Sequence, residues 1–126
     1  VYVCGPWRMI SAVRETAEAW GWPSAQIHFE SFGAQPLADD RPIRVHLAKS
    51  NLTLTVPANH TILDTLLDAG VSVPHDCKRG DCTLCATRVL NGEPDHRDLC
   101  LNATERATSM CVCVSRARGE ELRLDL

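Results

Sequence analysis

The chain has 126 residues, of which 44% are hydrophobic and 23% charged, with a formal net charge of −3. That balance excludes a disordered or fibrous chain, and without a basic stripe it argues against nucleic acid as the main partner. No apolar run approaches the ~18 residues needed to span a membrane, and seven cysteines with clustered spacing suit a reducing compartment, so the cytoplasm is expected.

Val1-Tyr2-Val3-Cys4 reads as a short strand that stops at Gly5-Pro6, a strong breaker pair. Because the chain opens mid-strand in character and without methionine, it is expected to be a piece of a longer protein, with any targeting signal out of sight. A helix should start near Trp7, where Ile10, Val13, Ala17 and Trp20 form one apolar stripe and Arg14, Glu15 and Glu18 face water. Gly21 and Pro23 end it, and Ile27 to Glu30 alternates as a second strand. Strand, helix and strand make one βαβ unit. A parallel crossover needs cover on both faces, so residues 1–34 are read as the tail of a larger domain.

Gly33 to Arg41 carries Gly33, Pro36 and Asp39-Asp40 and runs into Pro42; residues 35–41 read as a linker short enough to hold two domains close. Ile43 to Leu47 and Leu52 to Val56 then alternate on either side of Ala48-Lys49-Ser50-Asn51, a hairpin signature. Ile62, Leu63, Leu66 and Leu67 give a helix over residues 62–69, capped by Asn59 or Thr61 and closed by Gly70. Val71-Ser72-Val73-Pro74 leads into a cysteine loop. Ala86 to Leu90 returns as a strand turned by Asn91-Gly92. Asn102-Ala103-Thr104-Glu105 has capping-box form, and Met110 to Ser115 and Leu122 to Leu126 supply the last strands. The fold class expected is α+β, a mixed sheet gripping one helix.

The loop Cys77-Lys78-Arg79-Gly80-Asp81-Cys82-Thr83-Leu84-Cys85 spaces three thiols as C-x4-C-x2-C, with Cys113 further on. That is the ligand run of plant-type [2Fe–2S] centres. Two bridged irons need four terminal thiolates, and three drawn from one short segment force it to wrap as a loop. Gly80 supplies a residue free to take positive φ inside the wrap, and inward amides can hydrogen-bond the sulfurs. A structural zinc site of Cys82, Cys85, Cys111 and Cys113 is the main alternative and would leave Cys77 idle. A secreted disulfide set fits poorly with an odd, clustered count, and a thioredoxin-like pair lacks its βαβ context at Cys82. His75 and His96 invite a Rieske reading, which a full set of four cysteines makes unnecessary. His75 is expected near the cluster, His96 on the surface and Cys100 as a spare thiol. If Met110 to Ser115 is one strand, Cys111 and Cys113 share a face roughly 6.6 Å apart, and parity does not choose between them as the fourth ligand.

From Pro42 to Leu126 the chain resembles a plant-type ferredoxin domain with the ubiquitin-like β-grasp. As a whole it is similar to the C-terminal part of reductases of the phthalate dioxygenase reductase and vanillate demethylase reductase type. The residues that carry the likeness are Pro74-His75-Asp76-Cys77, Arg79-Gly80-Asp81-Cys82, Gly92 to Asp98, Cys113-Val114-Ser115-Arg116-Ala117, and upstream Cys4-Gly5-Pro6 and Glu30-Ser31-Phe32. The resemblance implies that residues 1–34 end a Rossmann-like NAD-binding domain, that 35–41 are a linker and that 42–126 are the [2Fe–2S] domain. It implies metal ligands Cys77, Cys82, Cys85 and Cys113. Cys4 is implied beside the nicotinamide with Gly5 and Pro6, and Phe32 against the flavin. Thr83 departs from the smaller residue usual in the family. The implied activity is that of an NADH-dependent oxidoreductase: electrons pass from NADH through FMN, in a domain outside this chain, and the [2Fe–2S] cluster to a terminal Rieske-type aromatic-ring oxygenase or demethylase. The alternative is a free-standing [2Fe–2S] ferredoxin, which would have no use for the βαβ tail.

Overall fold

The computed structural model describes Val1 to Leu126 and divides into two compact units, Val1–Phe32 and Gly33–Leu126. In the first, strand β1 (Tyr2–Cys4) leads through helix α1 (Trp7–Ala19) to strand β2 (His28–Glu30). The strands pair in parallel, Tyr2 with His28 and Cys4 with Glu30, so the expected βαβ unit is present. Pro6 sits at the helix N-cap, where its missing N–H costs nothing, and its carbonyl accepts the amides of Met9 and Ile10. The helix buries Ile10 and Ala17. Its expected stripe fails at the end: Trp20 is the C-cap and stays 78% exposed.

The second unit begins with the expected hairpin, strands β3 (Ile43–Leu47) and β4 (Leu52–Val56), paired from Ile43 with Val56 to Leu47 with Leu52. Helix α2 (Ile62–Asp68) follows, with Thr61 Oγ1 accepting the Asp64 amide at 3.0 Å as its cap. Strands β5 (Ala86–Asn91) and β6 (Pro94–Asp95), helix α3 (Ala103–Arg106), and strands β7 (Ser109–Cys111), β8 (Arg116–Ala117) and β9 (Glu121–Leu124) complete it. The capping box at α3 is reciprocal: the Glu105 amide donates to Asn102 Oδ1 and the Asn102 amide to Glu105 Oε2.

The main sheet runs β4-β3-β9-β5-β7, with β6 and β8 as a separate pair. Only β3 and β9 are parallel; the other pairings are antiparallel, so the sheet is mixed. Alternation in β3 puts Ile43, Val45 and Leu47 inward. They meet Ile62, Leu63 and Leu66 of α2, and Met110, Leu122 and Leu124, in one buried core. This is the α+β, helix-gripping fold that the pattern predicts. No helix of the chain is long and apolar enough to cross a membrane.

One expected element is corrected. Met110 to Ser115 is not a continuous strand: β7 stops at Cys111, and a turn follows in which the amides of Val114 and Ser115 both donate to the Cys111 carbonyl, at 3.3 and 3.0 Å. The Leu63 amide at the start of α2 donates to the Val112 carbonyl at 2.9 Å and pins that turn to the helix. The residues read as a linker, 35–41, pack as part of the second unit.

Candidate metal centre

The loop from Cys77 to Cys85 joins the segment after α2 to strand β5 and has no regular secondary structure. It wraps by using positive φ at Lys78 (54°), Gly80 (78°) and Thr83 (64°). Gly80 is required twice over. Besides its φ, a Cβ there would lie 2.9 Å from Val114 Cγ2 and 3.0 Å from Asp98 Cα. The Gly80 carbonyl accepts the Leu99 amide at 3.0 Å, so the loop is braced against the segment that carries Asp98.

This wrapping turns backbone N–H groups onto sulfur. The amides of Arg79 and Asp81 donate to Cys77 Sγ at 3.3 and 3.5 Å, and that of Cys82 also donates to it. The Gly80 amide points to the sulfur of Cys113, and the Cys113 amide to that of Cys85. Successive inward amides form a concave donor set that favours negative charge. The zinc alternative fits this poorly, because the thiol it leaves idle, Cys77, collects three of these donors.

The thiols are coupled to one another. Cys77 lies within electrostatic reach of Cys82, and Cys85 of both Cys111 and Cys113, while Cys113 also feels the charge of Cys77. Burial works to raise the Cys77 pKa, but the amides of Arg79 and Asp81 outweigh it and hold the thiol below its usual value. Donation from Cys111, then from Cys113, pushes Cys85 down to about 3. In return Cys85 pushes Cys113 up, and Cys100 with Cys85 pushes Cys111 up. Sulfurs this close do not all ionise unaided, and a bound cation is what permits it. A donor set of amides aimed at paired thiolates thus fits an iron–sulfur cluster.

Cys111 and Cys113 are both buried and both reach Cys85, but their other neighbours differ. Cys111 Sγ lies 3.5 Å from Cys100 Sγ, and with Asp98 the two make a compact group of three potential ligand atoms. Cys113 alone receives the Gly80 amide of the loop. Two surface readings are corrected here. Cys100 is half-buried against Cys111 rather than spare on a turn. His96 is largely covered, its Nδ1 3.6 Å from the fully buried carboxylate of Asp98. Asp98 also accepts the Leu101 amide at 2.9 Å, and Arg106 donates to its backbone carbonyl at 2.7 Å. Sequence reasoning missed Asp98, since a single acid in a loop has no periodic signal. His75 precedes the loop, with Nδ1 2.7 Å from the Val73 carbonyl.

The remaining residues singled out from sequence lie in the first unit. Cys4 is exposed at the carboxyl end of β1 beside Glu30 of β2, followed by Gly5 and Pro6, and Phe32 is 61% exposed at the unit's end.

A family model described as the 2Fe-2S iron-sulfur cluster binding domain matches residues 45–118. Along its whole length the chain is 44% identical to phthalate dioxygenase reductase of Burkholderia cepacia and covers 39% of that protein. It is 42% identical to the heme-dependent oxidative N-demethylase beta subunit of Ectopseudomonas mendocina (strain ymp), again over its full length and 40% of the relative. A solved phthalate dioxygenase reductase, described as a modular structure for electron transfer from pyridine nucleotides to [2Fe-2S], superimposes with a TM-score of 0.72 at 44% identity, covering all of this chain and 39% of that one. The chain therefore spans about two fifths of the length of these relatives.

Proposed function

Since this chain belongs to the 2Fe-2S iron-sulfur cluster binding domain family, we propose that it is the electron-delivering end of an NADH-dependent oxidoreductase, with Cys77, Cys82, Cys85 and Cys113 as the ligands of its cluster. The observation that carries the ligand assignment is the wrap of one loop that brings Cys77, Cys82 and Cys85 together, turns the amides of Arg79 and Asp81 onto Cys77 Sγ and directs the Gly80 amide at Cys113. These four thiolates would hold the two irons of the cluster. A cluster held this way supplies single-electron transfer at a potential nearer the ~ −400 mV of plant-type centres than the Rieske range. The chain's own residues set that environment: Arg79, Gly80, Asp81 and Cys113 donate amides to sulfur, and burial of Cys85 and Cys113 keeps water from half the ligand set.

The upstream unit supports the reductase reading over a free-standing ferredoxin, because a βαβ unit has no role in a carrier protein. Cys4 ends a strand of a parallel pair, where ligands bind in open α/β sheets, and serves the nicotinamide side with Gly5 and Pro6. Phe32 offers an exposed ring to the flavin. In the whole reductase FMN, held in a domain outside these residues, would supply the acceptor for hydride from NADH, and the cytoplasm is the compartment in which so many free thiols persist. The terminal acceptor is an oxygenase or demethylase component. A Rieske-type partner follows from the likeness to phthalate dioxygenase reductase, and the N-demethylase relative, heme-dependent by name, favours a heme partner as the second reading.

The test is kinetic. In the intact reductase NADH reduces flavin and then cluster, and Cys4→Ala slows flavin reduction without lowering iron content. A protein with no flavin, whose cluster NADH leaves oxidised, would return the chain to the ferredoxin reading; an unchanged flavin rate in Cys4→Ala would make Cys4 an ordinary strand residue.

A further inference from the structure

Apart from the loop cysteines, the second unit gathers another set of sulfur and oxygen ligand atoms. Asp98 and Cys100 lie in the irregular stretch between β6 and α3, and Cys111 ends β7. Cys100 Sγ stands 3.5 Å from Cys111 Sγ and 4.0 Å from Asp98 Oδ2. The ligand atom offered by each of the three lies within 4.8 Å of the others. A tetrahedral Zn²⁺, with Zn–S ~2.3 Å and Zn–O ~2.1 Å, needs donors roughly 3.5–3.8 Å apart. The three side chains as they stand nearly span such an ion.

The carboxylate supplies a second, independent observation. The Asp98 side chain is fully buried, and a buried charge is tolerated when it is paired or binds a metal. Its pairing within the protein is incomplete. Oδ2 accepts the Leu101 amide at 2.9 Å and lies 3.4 Å from Arg106 Nη2. Oδ1 has no hydrogen-bond partner, and His96 Nδ1, buried and equally without one, stands 3.6 Å from it. With both thiols ionised the three ligands carry three negative charges, which a dication and Arg106 together balance. Two sulfurs and one oxygen suit Zn²⁺ rather than a hard cation such as Mg²⁺ or Ca²⁺. Cys100 is only half-buried, so an ion can reach the group from solvent.

We propose that Asp98, Cys100 and Cys111 form a second metal site, for one Zn²⁺ ion with water as the fourth ligand, separate from the cysteines assigned to the cluster. His96 and Arg106 stand behind the carboxylate and hold its angle. Zn²⁺ has no redox chemistry, so the ion carries no electrons. It clips the end of β7 to the stretch that braces the cysteine loop, because Leu99, between Asp98 and Cys100, donates its amide to the Gly80 carbonyl at 3.0 Å.

The test is metal analysis of the intact protein with its cluster in place. After incubation with zinc sulfate and gel filtration, one zinc per chain should remain, with iron and labile sulfide unchanged. X-ray absorption at the zinc edge should show two sulfurs at ~2.3 Å and lighter donors at ~2.0–2.2 Å. Cys100→Ser and Cys111→Ser should each lower zinc affinity by about a hundredfold, and His96→Gln by about tenfold, while circular dichroism and cluster absorbance hold. Zinc should raise the melting temperature of the wild type and not that of Cys100→Ser. No retained zinc, zinc gained at the expense of iron, four sulfurs around it, or equal retention in Cys100→Ser would each overturn the site. If a serine variant fails to fold, the wild-type zinc-edge spectrum decides alone. Protein that holds neither iron nor labile sulfide would instead defeat the cluster reading, and the comparison with Cys100→Ser would still decide this site.

Discussion

The two units of this chain treat their apolar residues in opposite ways. Gly33–Leu126 closes a core of its own, in which Val45, Val56, Ile62, Leu66, Met110 and Leu124 are wholly buried. Val1–Phe32 buries Ile10, Ala17 and Ile27 but leaves Tyr2 87% and Trp20 78% exposed. A hydrophobic stripe predicts burial only where its partner lies in the same unit. In β3 the partners are α2 and β9, and the alternation is obeyed. In α1 nothing within residues 1–32 covers Trp20, and the stripe runs out into solvent.

The largest effect expected inside the second unit is loss of the metal centre. Cys85→Ser and Cys113→Ser should abolish or badly distort the visible and electron paramagnetic resonance (EPR) spectra, while Cys111→Ser, which removes a thiol facing Cys100, should leave them nearly intact. Measured iron content in the three variants decides it; the reverse pattern would move the fourth ligand to Cys111. Packing comes next. Leu66→Ala should cost about 2–5 kcal/mol of stability in denaturant titration, whereas Trp20→Ala in the other unit should stay within about 0.5 kcal/mol. Equal losses would mean that the exposed stripe is covered after all.

A smaller change is expected for Gly80→Ala. Strain at positive φ costs of order 1–3 kcal/mol, and the added methyl would also press on the Asp98 backbone. Weaker cluster retention on gel filtration, with the fold kept by circular dichroism, is the expected outcome.

The smallest effect is electrostatic. The hydrogen bonds from Arg97 hold Asp40 below the usual carboxylate range despite its burial. Its folded pKa being the lower one, the pair stabilises fully above the unfolded value of ~3.9 and loses that contribution as pH falls through the folded one. Melting temperatures measured from pH 5 downward should therefore drop more steeply in the wild type than in Asp40→Asn, and parallel curves would deny the pair its share of acid sensitivity.

Local chemistry made much of this legible. The hairpin at Ala48 to Asn51, the Thr61 cap and the Asn102–Glu105 box each depend on residues a few positions apart, and each appears where the pattern put it. What sequence missed depends on distant partners. The strand expected through Ser115 ends at Cys111 because the Leu63 amide, some fifty residues earlier, holds the Val112 carbonyl in a turn. That turn undoes the parity argument on Cys111 and Cys113, which assumed an extended chain. His96 and Cys100 read as surface residues because their cover comes from the burial of Asp98 in an irregular segment and from Cys111, eleven residues on from Cys100. The Asp40–Arg97 pair is invisible for the same reason: a linker composition says nothing of an arginine 57 residues on.

The central claim, a [2Fe–2S] centre held by four thiolates of the second unit, is tested most directly by metal and sulfide analysis of the purified protein together with EPR before and after one-electron reduction. The account predicts red-brown protein with two irons and two acid-labile sulfides per chain, silent when oxidised and giving a rhombic S = 1/2 signal when reduced, as expected of all-cysteine plant-type ligation. Colourless protein carrying zinc and no labile sulfide would contradict it.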